Sequence, residues 1–254
     1  MGGQEQKQHP VIVVLGAAGG IGSALARRLA SKGARLVLAG RTPGSIALLA
    51  SELGAHGVSV DATRFDQVDA MFGEALELHG RVDSVVNCVG SLLLKPAHLT
   101  SEAEFADTVA ANLTSAFAAV RAGSRAMVKT GGGSIALVSS VAARTGLANH
   151  EAIAAAKAGI IGLTLSAATT YARQRIRVNC VAPGLVRTPM TKKFTENEPA
   201  LKASVNMHPL GRIGEPADVA SALAWLIDAE QGWVTGQVIG VDGGLGSLRP
   251  SSAS

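Results

Sequence analysis

The segment Gly16-Ala-Ala-Gly19-Gly20-Ile21-Gly22 decides the fold of this chain. It comes directly after residues 11–15, a continuous apolar run that is typical of a strand buried on both faces. It leads into residues 20–31, a predicted helix that Gly33 ends. Glycines at such a turn let the backbone approach a pyrophosphate, and the positive N-terminus of the helix holds the phosphates. The position of these glycines between the first strand and the first helix predicts a dinucleotide-binding site.

Strand-like apolar runs and helical patterns alternate along the rest of the chain. We predict further strands at residues 35–39, 58–60, 82–89, 134–139, 176–181 and 237–241, and helices at residues 45–53, 65–78, 101–129, 151–173 and 215–228. This alternation indicates a single α/β domain with a doubly wound parallel sheet, the Rossmann fold, over residues 10–245. We expect flexible tails at residues 1–9 and 246–254, and an irregular, more polar lid at residues 191–208.

The composition excludes several classes of function. Of the 254 residues, 47% are hydrophobic and 17% are charged, which argues against disorder. The net charge is +4, but the basic residues are scattered and lack interleaved aromatic residues, so we expect no nucleic-acid partner. No signal-peptide pattern and no stretch near about 20 apolar residues is present, so we expect a cytoplasmic protein without a membrane span. Cys88 and Cys180 lack metal-ligand spacing, and we expect both to be reduced, with no metal bound.

The glycine spacing G-x-x-x-G-x-G, together with later motifs, resembles the short-chain dehydrogenase/reductase family over nearly the whole chain. Asn87-Cys-Val-Gly90 is similar to the family's N-N-A-G strand end, with two substitutions, and Leu15 replaces its usual threonine. Asp61 matches its adenine-binding acidic residue, and residues 211–216 and 241–244 match its C-terminal blocks. The resemblance implies these cofactor-binding residues: Gly16, Ala18, Gly20, Ile21, Gly22, Arg41, Asp61, Ala62, Asn87, Gly90, Lys157, Pro183, Gly184, Val186 and Thr188.

The end of the second strand bears on which nicotinamide nucleotide is bound. An NAD site has a carboxylate at this position, which accepts hydrogen bonds from the ribose hydroxyls. Residues 38–41 contain no carboxylate, and the guanidinium of Arg41 is able to form a charge-assisted pair with a 2′-phosphate. In the family this arrangement resembles an NADP(H) site, so we expect NADP(H) in preference to NAD(H). The alternative is that Arg41 is an ordinary solvated turn residue.

The resemblance also implies the catalytic residues. Members of the family use a tyrosine as acid, a lysine four residues later, a serine that holds the substrate oxygen, and an asparagine that supports a water relay to the lysine. Ser140, Lys157 and Asn112 match three of these. The tyrosine position lies four residues before Lys157 and thirteen after Ser140, and both counts arrive at Ile153. Tyr171, the only tyrosine in the chain, is eighteen residues farther along the predicted helix, roughly 27 Å away, too far to act within the subunit.

His150 is a candidate replacement for the missing acid. It lies three residues before Ile153 and seven before Lys157, so in a helix the three side chains share a face. An imidazole titrates near neutrality and is able to donate a proton. The alternative is that His150 is a capping or surface residue at the helix start. Ser140 and Asn112 could likewise be structural hydrogen-bonding residues.

Two functions therefore stand side by side. The first is an NADP(H)-dependent oxidoreductase acting on a small-molecule carbonyl/alcohol pair, with motifs similar to those of bacterial 3-oxoacyl-thioester reductases. The second is a non-catalytic NADP(H)-binding sensor, scaffold or partner subunit, because the cofactor motifs are intact while the proton donor is missing. By the same resemblance, residues 101–129 and 151–173 would form the interface of a homo-oligomer, either a dimer or a tetramer.

Overall fold

The computed structural model describes residues 9–249, and residues 1–8 and 250–254 lie outside the described part. Most of the two predicted tails therefore lies outside it, and the domain boundaries stay a prediction. The strands are β1 Val11–Leu15, β2 Arg35–Gly40, β3 His56–Ser59, β4 Ser84–Asn87, β5 Gly133–Val138, β6 Ile176–Pro183 and β7 Val238–Val241. They form one parallel sheet in the order β3-β2-β1-β4-β5-β6-β7.

Helices cover both faces of this sheet. They are α1 Gly20–Ala30, α2 Pro43–Leu53, α3 Phe65–His79, α4 Glu102–Val109, α5 Ser115–Thr130, α6 Glu151–Tyr171, α7 Lys192–Thr195, α8 Glu198–Met207 and α9 Pro216–Ile227. Within β1, Val14 packs with α1, α2 and α9, whereas Val13 and Leu15 pack with α3, α5 and α6. This alternation of side chains follows from the period of two in a strand. The predicted doubly wound, single-domain α/β fold is confirmed.

The strand order reverses next to β1, since β2 pairs with one edge of β1 and β4 with the other. In open parallel sheets, ligands bind in the crevice beyond the carboxyl ends of the strands at such a reversal. The predicted site residues that follow β1, β2, β4, β5 and β6 therefore meet along one edge of the sheet. The topology alone brings segments far apart in the sequence into one cleft.

Several predicted boundaries were wrong. The single helix expected at residues 101–129 is interrupted by a π-helical turn at Ala110–Thr114, between α4 and α5. The lid at residues 191–208 is mostly helical, because Asn197 caps α8 by accepting a hydrogen bond from the Ala200 amide (3.0 Å). Strand β4 is shorter than expected, and β3 begins earlier. Hydrophobic periodicity does not detect a one-residue π-bulge or a short capped helix.

One stretch, Glu151–Gln174, is long and apolar enough by length and composition to cross a membrane, contrary to the expectation that no stretch approaches this length. Its buried positions include Ile160 and Thr164, and Ile160 belongs to the core on the α3–α5 side of the sheet. The buried core helix of a globular domain has the same composition, and α6 packs as one.

Candidate functional site

The glycine-rich turn leaves almost no room for a side chain at three of its glycines. Gly16 has φ +71°, and a Cβ added there would lie 2.8 Å from the Cys88 carbonyl carbon at the end of β4. A Cβ on Gly22 would lie 2.3 Å from the Gly16 carbonyl oxygen. A Cβ on Gly20 would lie 2.8 Å from Cγ2 of Thr188. Each of the three positions therefore requires glycine, and the turn directly contacts the segment that follows β6.

The N-terminus of α1 is open to an anion. Its N-cap residue, Gly19, provides no side-chain cap, and the first turn contains no acidic residue. Ala18 and Gly19 are exposed, and Ile21 is half-buried beside them. Unpaired amides at a helix N-terminus, together with the helix dipole, form a site for phosphate groups. A dinucleotide pyrophosphate fits the chemistry of these amides, and the three glycines let the turn close beside them.

The ends of β2 and β3 place Arg41 and Asp61 near each other. Arg41 is exposed, and Ala62 beside Asp61 is buried. The carboxylate of Asp61 accepts hydrogen bonds from the amide (2.9 Å) and hydroxyl (2.8 Å) of Thr63. These bonds, and to a smaller extent the charges of Arg41 and Arg64, hold the pKa of Asp61 below its usual value. Arg41 therefore places a guanidinium at the end of β2, where an NAD site would have a carboxylate.

Asn87 closes the end of β4. Its side-chain amide donates to the Ser115 hydroxyl (3.3 Å), and its oxygen accepts from the Val89 amide (3.2 Å). The side chain is buried. Asn87 therefore shapes the backbone that leads to Gly90, and it ties this loop to the start of α5.

Asn112 and Lys157 meet beside Gly90. A Cβ added at Gly90 would lie 2.9 Å from the side-chain oxygen of Asn112 and 3.4 Å from Nζ of Lys157. Both polar groups therefore lie within 3.4 Å of one point at the carboxyl edge of the sheet. Residues 90, 112 and 157 come from a loop, the π-helical turn and α6, and the structure brings them together as the resemblance implied.

Ser91 is a site residue that the sequence analysis missed. Its amide donates to Oδ1 of Asn112 (3.2 Å), and its hydroxyl accepts from Nδ2 of Asn112 (3.0 Å). Nδ2 also donates to the Thr108 carbonyl (2.9 Å), so the Asn112 carboxamide is fixed on three sides. In the sequence, the position of Ser91 directly after Gly90 was the one feature that pointed to it.

Lys157 is almost fully buried, with 7% of its surface exposed. Its Nζ donates to the Val138 carbonyl (2.8 Å), and its own carbonyl accepts from the Ser139 hydroxyl (2.8 Å). Burial lowers the pKa of Lys157 to about 8. A lysine with this pKa exchanges its proton near neutral pH.

Ser140 and Ile153 occupy the two remaining positions. The half-buried Ser140 accepts a hydrogen bond from the Ala142 amide (3.1 Å), which leaves its hydroxyl hydrogen for a second partner. Ile153 is buried, with 3% exposed, one helical turn before Lys157. Its apolar side chain has no proton to give.

His150 lies just outside the helix. It is the N-cap residue of α6, with φ −109° and ψ 13°, and its side chain caps no backbone amide. His150 therefore lies at the start of α6, and its role as the replacement acid stays a prediction. Nδ1 of His150 is 2.7 Å from the Ala148 carbonyl oxygen, which fixes the hydrogen on Nδ1.

The segment after β6 carries Pro183, Gly184, Val186 and Thr188. Val186 is buried and pairs with Gly214, and Thr188 lies against Gly20 as described above. The Thr188 amide donates to Oγ1 of Thr191 (3.0 Å), which holds the segment in a tight turn before the lid. The segment therefore borders both the glycine-rich turn and the lid.

We find no metal site among the described residues, whether from the two cysteines or from other side chains that commonly bind metals. Residues 9–249 contain no group of three or more His, Cys, Asp or Glu side chains placed to hold a metal ion. Cys88 and Cys180 are free thiols, and burial raises the pKa of Cys88 to about 12.

Comparisons with known proteins agree with this geometry. A family model described as enoyl-(acyl carrier protein) reductase matches residues 16–246. The 3-oxoacyl-[acyl-carrier-protein] reductase FabG of Vibrio cholerae is 35% identical, over 92% of this chain and 96% of that protein. A short-chain type dehydrogenase/reductase from Mycobacterium ulcerans superposes with a TM-score of 0.92 at 30% identity, covering 96% of this chain and 92% of that one. ElxO with NADP bound superposes with a TM-score of 0.89 at 25% identity, covering 95% of this chain and 100% of that one.

The matched family model covers almost the entire chain, and the relative and both structures extend over nearly their full lengths. Together with the seven-stranded sheet and the glycine-rich turn, they identify this protein as a member of the short-chain dehydrogenase/reductase family of oxidoreductases.

Proposed function

We propose that this protein is an NADP(H)-dependent oxidoreductase that acts on a carbonyl/alcohol pair, with activated ketones such as 3-oxoacyl thioesters as its substrate class. The observation that carries the proposal is the cluster of Asn112 and Lys157 around Gly90, beside the open N-terminus of α1. The name of the Vibrio cholerae relative supports the substrate class.

NADP(H) fits the residues that are present. The amides at the start of α1 would hold the pyrophosphate, and Arg41 would pair with the 2′-phosphate. Asp61 and Ala62 would border the adenine, and Lys157 would bind the nicotinamide ribose hydroxyls. Residues 183–188 would hold the nicotinamide. The bound NADP in ElxO supports this choice of cofactor.

In the proposed reaction the bound cofactor supplies a hydride, and the chain orients the substrate and delivers a proton. Ser140 would donate a hydrogen bond to the substrate oxygen. Because residue 153 is isoleucine, the proton would reach that oxygen from water by way of Lys157, with Asn112 supporting the water, or from His150. Loss of a general acid costs about 10²- to 10⁴-fold in rate, so turnover would be slow and largest with activated carbonyls.

The experiment is an NADPH oxidation assay with 3-oxoacyl thioesters, activated ketones and aldehydes, with product identified by mass spectrometry. We expect slow oxidation coupled one-to-one to formation of the alcohol. Binding of NADPH with no product from any of these substrates would reject the oxidoreductase. A Ser140→Ala variant is the matched control, because it keeps the cofactor residues and should lower the rate.

The second candidate function is a non-catalytic NADP(H)-binding sensor, scaffold or partner subunit. The burial of Ile153 favours it, since an apolar side chain packed at this position is ordinary core. This function predicts tight NADPH binding that changes the stability of the protein, without turnover. The oxidation assay separates the two.

We also propose that the protein is a cytoplasmic homo-oligomer, either a dimer or a tetramer. Helices α5 and α6 expose Phe117 and Leu165, with 48% and 50% of their surfaces accessible, and apolar side chains of this size favour burial. Sedimentation of the purified protein would give the mass of the assembly, and a monomer at all concentrations would contradict this proposal.

A further inference from the structure

His208 is a buried imidazole at a junction of three segments, outside the residues assigned above. It follows directly on α8 and has 3% of its surface exposed. Its Nδ1 lies 2.6 Å from the Ser204 carbonyl oxygen, and its Nε2 lies 3.3 Å from the Leu185 amide nitrogen. The ring therefore joins the lid to the segment that follows β6.

The two partners determine the tautomer of this ring. A carbonyl oxygen only accepts, so Nδ1 carries the hydrogen and donates to Ser204. Nε2 then keeps its lone pair and accepts the hydrogen bond from the Leu185 amide. Both ring nitrogens have a hydrogen-bond partner only in this one neutral form. The donor and the acceptor of each hydrogen bond are therefore fixed.

Gly184 is shaped to accept the ring. A Cβ added at Gly184 would lie 2.5 Å from Nε2 of His208. No positive φ explains this glycine. The close approach of the imidazole explains it, so the glycine of the Pro183-Gly184 motif and His208 form one contact.

The C-terminal block completes the junction. The Gly184 amide donates to the Val241 carbonyl (3.2 Å), and the Leu210 amide donates to the Gly243 carbonyl (3.1 Å). A Cβ added at Gly243 would lie 3.5 Å from Cδ2 of His208. The imidazole is thus enclosed by the segment after β6, the lid and the turn after β7.

We propose that His208 is a positioning residue that clamps residues 183–188 to the lid through its hydrogen bond with Leu185. The clamp holds the nicotinamide-binding segment in place, so its role in cofactor affinity rests on the proposed function. Without it, the end of α8 loses its hydrogen bond to residues 183–188, although Thr191 still holds the start of the lid, and the Leu185 amide is left without its partner.

Two similar variants test which ring nitrogen matters. In His208→Gln the side-chain oxygen reaches as far as Nε2 and keeps an acceptor for Leu185. In His208→Asn the shorter amide keeps a donor for Ser204 but does not reach Leu185. Limited trypsinolysis of the protein without nucleotide should cleave after the exposed Lys202 about tenfold faster in His208→Asn, and within twofold of wild type in His208→Gln. Cleavage after Lys129, at the end of α5, should stay unchanged and reports global unfolding.

The second readout is NADPH affinity by fluorescence titration of the same proteins. We expect the Kd to rise about tenfold in His208→Asn and to stay within threefold in His208→Gln, with an exposed-histidine variant, His98→Gln, unchanged. Equal Lys202 cleavage in wild type and His208→Asn would overturn the clamp. A wild type that binds no NADPH would reject the proposed function, while the cleavage rates would still decide the clamp.

Discussion

The cofactor side and the catalytic side of the proposed site differ in the number of residues on which their function depends. On the cofactor side, Gly16, Gly20 and Gly22 close a turn in which an added Cβ would overlap a neighbour at each position. On the catalytic side, Lys157 is held at Val138 and lies beside Gly90, but the position one helical turn earlier is Ile153. The first side is formed by the backbone of several residues, whereas proton donation on the proposed catalytic side would depend on a single side-chain group.

This difference separates binding from chemistry. A phosphate site made of amides and a helix dipole does not depend on any one side chain of the catalytic helix. Proton donation does, because a general acid acts through a single positioned group. We therefore expect isoleucine at residue 153 to affect proton donation and to leave the proposed cofactor site intact. Variants on each side either separate binding from chemistry further or show that the two are linked.

The largest expected effect comes from restoring the acid. Ile153→Tyr places a phenol one turn before Lys157, whose ammonium would favour ionisation of the hydroxyl. We expect the rate of NADPH-dependent reduction of a 3-oxoacyl thioester to rise by about 10²- to 10⁴-fold, with the NADPH Kd within about threefold of wild type. Steady-state kinetics at saturating NADPH measure it.

The control for this variant is Ile153→Phe, which adds a ring of similar size without the hydroxyl. It should show the same packing cost and no gain in rate. If the two variants have equal rates, the hydroxyl is not the missing element and the account of the catalytic side is wrong.

The next effect tests the cofactor side. In Gly22→Ala the new Cβ would overlap the Gly16 carbonyl oxygen, so the turn has to open and its amides move. We expect the NADPH Kd to rise roughly tenfold to a hundredfold. Gly73→Ala, in the interior of α3 with nothing within 4 Å of the added Cβ, is the control and should bind normally. Normal binding by Gly22→Ala would place the phosphates elsewhere.

Arg41 gives a smaller effect, which concerns the choice of nucleotide. Arg41→Ala removes the proposed partner of the 2′-phosphate, so we expect the NADPH Kd to rise about tenfold and the NADH Kd to stay unchanged. Arg64→Ala is the matched control, since Arg64 pairs with Asp66 at 3.3 Å. Equal losses for both nucleotides would make Arg41 a general contributor rather than the residue that selects NADP(H).

The smallest expected effect is the change of the reduction rate with pH near neutrality. Burial lowers the pKa of Lys157 to about 8, so its ammonium is present below that pH and lost above it. If the relay through Lys157 delivers the proton, the rate of carbonyl reduction falls as the pH rises through about 8. Lys157→Arg keeps its charge and should remove this fall. A wild-type rate that is flat from pH 7 to about 9.5 would reject the relay.

The fold could be predicted, and the cofactor site could be proposed, because their signals are local. Residues 11–15 are apolar throughout, and the glycines follow at once, so strand, turn and helix are visible in a short window. The position of Ile153 was also visible, because two independent spacings, from Ser140 and from Lys157, agree.

The remaining parts depend on tertiary contacts that spacing does not encode. Two hydrogen bonds between Ser91 and Asn112, which lies in the π-helical turn, join segments 21 residues apart. His208 meets Leu185 only because the lid folds back over the sheet edge. His150 is the N-cap residue of α6, directly before the start at residue 151 that the sequence predicts, and its φ and ψ of −109° and 13° could not be read from spacing.

The most direct test of the central claim is a fluorescence titration of the wild-type protein with NADPH and with NADH at one salt concentration. The account predicts saturable binding of both nucleotides, with NADPH bound about tenfold more tightly through Arg41. No binding of either nucleotide would contradict it, because the glycine-rich turn and the N-terminus of α1 would then not be a cofactor site.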